Sequence, residues 1–477
     1  MVEKRKRVLT LGAMPTEACA YALARYSRSP DSIRQSLQWV RRHDSRRFLE
    51  HFYFQYGHAS IADLGHLAMC FEGISELAAT EIEDEPLWDG QAKSSRYQDF
   101  SSSGAVTPPE FTPEQAGLYQ PAAARLLDAY NRVHRAASAA LAERLPRPLE
   151  MPEDAYRRNI AARAYDVARY LLFLGVPTNV GQITSIRTLE KQIARLKVSE
   201  YAELRELAEE MAAACAAPAD CPWYESLAPE PPAPTLAQFA APDSYRRRVR
   251  DDLQLWARQN LPAPSMAATP AVDLIKPSDP AADAVATLLY PVTDRPFREL
   301  YELALAWSPA VRAEVLDLAI GPRGERDELP RAFRTAPYTF DLTIDIGAWR
   351  DLHRHRRCHQ FRQAFTAELG YETPPFIVEA GLETEYRGAI QEALSAAARL
   401  PSPASHYLLP FAARSRFLFK MDFAEADYIC RLRTSVKGHF SYRRIAWQMK
   451  LALEKLEPEL GRLIQATPPW VEDPLRR

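Results

Sequence analysis

Residues 349–363 read WRDLHRHRRCHQFRQ, and eight of these positions are Arg or His. Cations held this close repel unless something anionic compensates them, and guanidinium forks match a phosphate in bidentate fashion. A phosphate-bearing ligand is one compensation; a solvated basic face paired with neighbouring Asp and Glu is the other. Arg350, Arg354 and Arg357 follow helical spacing, as do Asp351, His355 and His359, so a helix would gather each set on its own face. The second set could hold a metal, but ligands at i and i+8 lie about 12 Å apart on a helix rising about 1.5 Å per residue. That is a poor claw, and no metal is assigned. Cys358 adjoins the cationic run, which should lower a thiol pKa and invites a nucleophile's role.

Two earlier segments could also meet a nucleotide. QAKSSRYQDF sets Ser94, Ser95, Arg96 and Tyr97 together just beyond a predicted helix, offering hydroxyl and guanidinium donors and an aromatic plane. A plain loop is the competing reading. No His or Asp base accompanies Ser94, so it reads as a donor rather than a nucleophile. YGHAS brings Gly57, His58 and Ser60 to the head of a predicted helix, where backbone amides can receive an anion. A simple helix-start histidine explains His58 equally.

The elements that must position these residues follow one plan twice. In the first half LGHLAMCFEGI reads as a strand, and TSIRTLEKQIARLKVSEYAELRELAEEMAAAC is helical by its 3.6 periodicity. In the second, YTFDLTIDI alternates at Phe340, Leu342, Ile344 and Ile346, the period of a half-buried strand, and residues 422–456 predict closing helices. Between them the stretch from Ala216 to Pro280 is rich in Pro and small residues, with a short helix predicted around Val249, Leu253 and Trp256. The expected organisation is a domain over 1–235, a Pro-rich linker over 236–280 and a second domain over 281–477. With 477 residues, two domains are also the natural division by size.

Composition narrows the partners. Lys and Arg total 60 against 62 Asp and Glu, so the net charge of -2 gives no general field for nucleic acid or an anionic membrane, and any anion site is local. The six cysteines form no CxxC pair, which suits free thiols in a reducing cytoplasm. MVEKRKR is basic like a signal-peptide start, but Pro15, Thr16, Glu17 and Arg25 interrupt the apolar run beyond it, so export is not expected. No apolar run reaches the roughly eighteen residues of a membrane helix.

Together these pieces resemble the flavin-dependent thymidylate synthases, whose motifs run in order as a GHxS-like start, RHR, SxRY, an ARxxLP-like segment and a late NxR helix. In the first half YGHASIAD (56–63) looks like the start and SSRY (94–97) stands for SxRY. Ala168 and Arg169 supply the AR pair, SIRTL (185–189) takes the NxR place and Arg195 lies further along. Where RHR should stand there are Asp84, Glu85 and Pro86. The second half has Arg354, His355 and Arg356 for RHR but no SxRY; His406 falls at the mid-chain arginine, Arg431 at the asparagine and Arg433 at the late arginine. Phe173 stands where the family has Pro, and Ser185 and Arg431 replace its asparagine.

The resemblance implies an α+β fold of two family-like domains, each a sheet packed with long helices, arranged as an internal pseudo-dimer. Family sites lie between subunits of a homotetramer, so one composite site is expected, with Arg354, His355, Arg356 and Arg433 facing Ser94, Arg96, Tyr97 and Arg169. The reciprocal site, holding Asp84 and Glu85, would be dead. The implied activity is reductive methylation of dUMP at C5, using methylenetetrahydrofolate, FAD and NADPH. Arg433, Arg96 and Arg169 would take the catalytic roles. Arg354, His355, Arg356, His58 and Ser60 would hold the cofactor, and Ser94, Arg96, Tyr97, Arg169, Arg354 and Arg433 the nucleotide. A homodimer of the chain would resemble the family's tetramer. The alternatives are a non-catalytic nucleotide- or flavin-binding scaffold and C5 methylation of another uridylate.

Overall fold

The computed structural model describes residues 14–27, 29–30, 32–43, 59–219, 240–263, 269–321, 330, 332, 338–456, 464, 466–473 and 475. Helices and two antiparallel sheets make up the fold. The first sheet joins β1 (His66–Ser75), β2 (Asp89–Ala92) and β3 (Pro177–Ser185) in the order β1-β3-β2. The second joins β4 (Val272–Ile275), β5 (Tyr338–Asp345), β6 (His359–Arg362) and β7 (Arg414–Met421) in the order β4-β5-β7-β6.

A single local device recurs at the ends of the long strands. β1 ends on Ser75, whose Oγ accepts from the Ala78 amide at 2.9 Å and opens the helix Glu76–Glu83. β3 ends on Ser185, which accepts from Thr188 at 3.2 Å and opens Ile186–Leu196. In the second sheet Asp345 caps Ile346–Leu352 through Ala348 at 2.7 Å, and Asp422 caps Phe423–Arg433 through Glu425 at 2.9 Å. Short side-chain acceptors of this type satisfy the orphan amides of a first helical turn, so each strand passes into its helix without a loop.

Three expectations need correction. The helical reading from Thr184 to Cys215 resolves into the end of β3 and two helices, Ile186–Leu196 and Ala202–Ala216. β5 is buried along nearly its whole length instead of alternating. The reason is a second helical layer, in which Ser244–Asn260, Pro280–Leu289 and Phe297–Ala306 pack an apolar cluster against Ile275 and Leu418. The buried polar residue Asp341 is satisfied there by Tyr290 Oη at 2.8 Å and the Phe297 amide at 2.9 Å. The Pro-rich stretch thus contributes more than a connection: its helix Ser244–Asn260 joins this cluster and β4 pairs with β5.

The two sheets are tied together by crossing backbone segments. Leu174 donates to Leu409 O at 3.0 Å, Phe411 to Leu172 O at 2.6 Å and Ala412 to Tyr170 O at 3.1 Å. One apolar core runs through this crossing, from Phe71 and Tyr130 on one side to Phe340 and Phe417 on the other. Gly175 sits in it because a Cβ would lie 2.1 Å from Tyr119 Oη and 2.8 Å from Tyr407 O. Outside, the long helices Pro113–Arg144 and Glu383–Ala397 are bridged by Arg125 and Arg132, which reach Glu385 at 2.9 and 2.6 Å. Among the described residues no helix is long and apolar enough to cross a membrane.

Candidate functional site

The crossing fixes two helix starts. The Leu77 amide donates to Leu174 O at 2.8 Å and the Gly347 amide to Phe411 O at 3.0 Å, so Glu76–Glu83 and Ile346–Leu352 leave the same centre. Their side chains then meet. Arg350 reaches Glu76 at 2.6 Å, and its Nη1 donates to Ser95 Oγ at 3.4 Å. Glu76 is wholly buried, and burial raises its pKa against the opposing charge of Arg350.

Arg169, 1% exposed, donates to Gly347 O at 3.1 Å and to Asp351 Oδ2 at 2.9 Å. Burial pushes the Asp351 carboxyl up, but Arg169, Arg96 and Arg433 outweigh it and hold the pKa at about 2. Arg96 Nε donates to Asp166 Oδ1 at 2.7 Å, and its remaining nitrogens reach Tyr442 Oη and Lys437 O, both at 3.0 Å. Arg96 and Arg433 flank the Tyr442 ring at 5.8 and 5.7 Å. Arg433 Nε donates to His355 Nε2 at 2.7 Å, and His355 Nδ1 lies 3.4 Å from Glu425 Oε1. Burial, helped by Arg433, lowers the pKa of His355 and favours its neutral form.

Between these groups opens a cleft of about 370 Å³ whose walls include Ser94, Ser95, Arg96 and Lys93 from the first half and Arg350, Asp351 and Arg354 from the second. Arg354 is exposed and has no hydrogen-bond or ion-pair partner among the described residues. Glu76, Glu83 and Asp351 also line the cleft, so its cations are partly compensated, and the exposed Arg354 with the Ser94 and Ser95 hydroxyls is the part able to hold a phosphate.

Of the residues singled out by sequence, Ser94, Arg96 and Arg354 line the cleft, and Arg169 stands behind it through Asp351. Tyr97 is 55% exposed and outside it. Arg356 turns away to Asp89 at 3.1 Å and to the Trp88 ring at 5.5 Å. His355 and Arg433 occupy one another. Ser60 belongs to the 3-10 helix Ala59–Leu64, and His58 lies outside the described residues.

The run 349–363 is not one helix: the helix ends at Leu352, His353 caps it, and β6 begins at His359. Asp351, His355 and His359 consequently share no face, and no metal-holding group of His, Cys, Asp or Glu occurs among the described residues. Cys358 is buried, and burial raises its pKa well above the ordinary thiol value, the reverse of the lowering its cationic neighbours suggested. Sequence reasoning missed Glu76, Lys93, Asp166 and Tyr442.

Around Glu85, where a reciprocal site was expected to be dead, the charged groups are paired. Arg195 Nε donates to Glu85 at 2.8 Å, Arg362 pairs with Glu81, and His406 Nδ1 lies 2.8 Å from Tyr201 Oη. Burial and the nearby Arg362 lower the pKa of His406 to about 4.

Comparison with known proteins gives one family. The family model described as thymidylate synthase complementing protein matches residues 10–219 and 325–459. A UPF0159 protein of Chlamydia pneumoniae is 27% identical over 427 residues, covering 87% of this chain and 78% of the relative. UPF0159 protein Ta1429 of Thermoplasma acidophilum is 25% identical over 489 residues, covering 93% and 94%. Among solved structures, flavin-dependent thymidylate synthase from Helicobacter pylori, complexed with FAD and dUMP, aligns at a TM-score of 0.24 and 12% identity, covering 42% of this chain and 89% of its own. The UMP/dUMP methylase PolB of Streptomyces cacaoi, bound with 5-Br dUMP, aligns at 0.30 and 12%, covering 47% and 89%.

Proposed function

The chain belongs to the thymidylate synthase complementing protein family, and from that premise we propose that it binds a uridylate in the cleft between its two sheets and methylates it at C5. The observation that carries the reading is the convergence in one cleft of Ser94 and Arg96 from the first half with Arg350, Asp351 and Arg354 from the second. On this reading the chain is a tandem of two family-like units, 1–235 and 281–477, sharing one composite site, and dUMP is the substrate.

Arg354 and Lys93 at the rim, with the Ser94 and Ser95 hydroxyls, would receive the nucleotide phosphate. Arg96, which lines the cleft, would supply fixed positive charge to the uracil carbonyls, favouring the charge that develops as C5 becomes nucleophilic, with Arg169 and Arg433 held behind it by Asp351 and His355. Asp351 holds Arg169 in place, so its role is orientation. Of the residues expected to hold FAD, Arg356 is turned to Asp89 and Trp88, and His355 does not fit as a flavin ligand, because Arg433 and Glu425 engage both of its nitrogens. When bound, FAD would supply the hydride, with methylenetetrahydrofolate as one-carbon donor and NADPH as reductant.

The test is the absorption spectrum of the purified chain with added FAD, titrated with dUMP. A flavin band that shifts on dUMP addition, and a loss of at least about tenfold in dUMP affinity on Arg354→Ala, are expected. A spectrum indifferent to dUMP would sink the reading. A second reading, nucleotide binding without turnover, is favoured by Arg96 and Arg169 already being paired with Asp166 and Asp351. Thymidylate formation separates the two.

A further inference from the structure

Ser95 lines the cleft at 4% exposure, in the segment that follows β2. Its hydroxyl is reached from the other half of the chain, where Arg350 Nη1 lies 3.4 Å from Ser95 Oγ. A guanidinium only donates, so Ser95 Oγ accepts there and its own hydrogen is left to donate elsewhere. No described residue takes that hydrogen. Ser94 is set in the same way: its Oγ accepts from the Arg96 amide at 3.3 Å, and its hydrogen likewise has no acceptor among the described residues. Two adjacent hydroxyl donors thus stand in one cleft with Arg354.

The fork of Arg350 is what fixes Ser95. Its Nη2 lies 2.6 Å from a carboxylate oxygen of the wholly buried Glu76. Its Cζ lies 4.7 Å from the centroid of the Phe411 ring, which holds the guanidinium by cation–π attraction. One nitrogen is occupied by Glu76 while a second reaches Ser95, a division open to a planar two-armed group and closed to an ammonium on a flexible stem. Glu76 also offsets the charge of Arg350 where it stands, so the charge offered to an anion is that of the exposed Arg354. We propose that Arg350 is a positioning residue, anchored by Glu76, that makes the Ser95 hydroxyl a dedicated donor to the phosphate of a bound nucleotide. The inference rests on the reading that the cleft takes a nucleotide phosphate.

The experiment is a double-substitution cycle read by isothermal titration of the full chain with dUMP, and with inorganic phosphate in parallel. Ser95→Ala should weaken dUMP binding by about tenfold, the loss of one hydrogen bond to a charged group. Arg350→Lys keeps the charge beside Glu76 but has no second arm for Ser95, and should weaken binding by about five- to tenfold. In the Ser95→Ala background Arg350→Lys should add less than about twofold, because Arg350 acts through the hydroxyl. Losses that multiply would show that Arg350 meets the ligand itself or merely supports the wall, and would overturn the proposal. A Ser95→Ala chain that binds like wild type would overturn it too. Should Arg350→Lys not fold, Glu76→Gln, which removes the charge that anchors Arg350, takes its place in the same cycle. Phosphate binding that follows this pattern while dUMP is ignored keeps the inference and sinks only the uridylate reading; a wild-type chain that takes neither sinks both.

Discussion

Arg169 shows what one residue does at this boundary. It is a buried cation anchored to Asp351 and to a backbone carbonyl of the opposite half. Breaking a buried pair strands a charge, so Arg169→Leu should cost about 3–5 kcal/mol of stability in urea denaturation. Removing both charges in Arg169→Leu with Asp351→Leu should restore more than half of that. His406 gives a pH-dependent counterpart. Its folded pKa of about 4 lies below the ordinary histidine value, so it contributes fully above pH 6.5 and its contribution is lost as pH falls to about 4. The stability deficit of His406→Phe relative to wild type should therefore narrow by roughly 2.5 kcal/mol between pH 7 and 4.5, at about 1.4 kcal/mol per pKa unit. A constant deficit would mean that His406 titrates normally. Motif order singles out Arg96, Arg169, Arg354 and Arg433, of which Arg96 and Arg354 line the cleft while Arg169 and Arg433 are held by Asp351 and His355. Glu76 and Asp166 were not legible in the sequence, because a lone acid in a helix looks the same whether it faces water or a guanidinium across a fold.

At the scale of elements, the capped strand-to-helix passage aims the chemistry. Each strand end delivers a helix start to the centre, and the helix carries the charged residues: Glu76 and Glu83 on one side, Arg350 and Asp351 on the other. The strand at 338–345 was legible from its apolar residues, but its burial on both faces was not, because the covering helices come from a Pro-rich stretch whose composition suggests a spacer. Arg and His recurring at every third or fourth place of the basic run mimic the spacing of one helix, while the turn at 353–358 leaves no Gly or Pro mark. On the reciprocal side, Arg195 fastens the helix Ile186–Leu196 to the end of the helix Glu76–Glu83 and to the turn beyond it. Arg195→Met should cost about 3–5 kcal/mol by denaturation while leaving dUMP affinity within about twofold, because its charge serves packing rather than the open cleft. A marked loss of affinity would show that the reciprocal position still communicates with the ligand.

For the whole molecule, the core residues that join the sheets come from both ends of the chain. A fragment stopping at 263 and another starting at 269 should each be insoluble or molten alone and should associate when co-expressed, as followed by size-exclusion chromatography. Independent folding of either fragment would contradict the shared core. The way the two sheets join was not readable, because Leu172–Leu174 and Leu409–Phe411 are short apolar stretches with no pairing signature of their own.

That joint has a consequence for how the cleft behaves in solution. Because Phe411 donates its hydrogen bond to Leu172 O within one polypeptide, the two walls of the cleft cannot drift apart on dilution. A site built between separate subunits empties as its assembly dissociates; here the opposing wall is present at the effective concentration set by the chain itself, whatever the abundance of the protein.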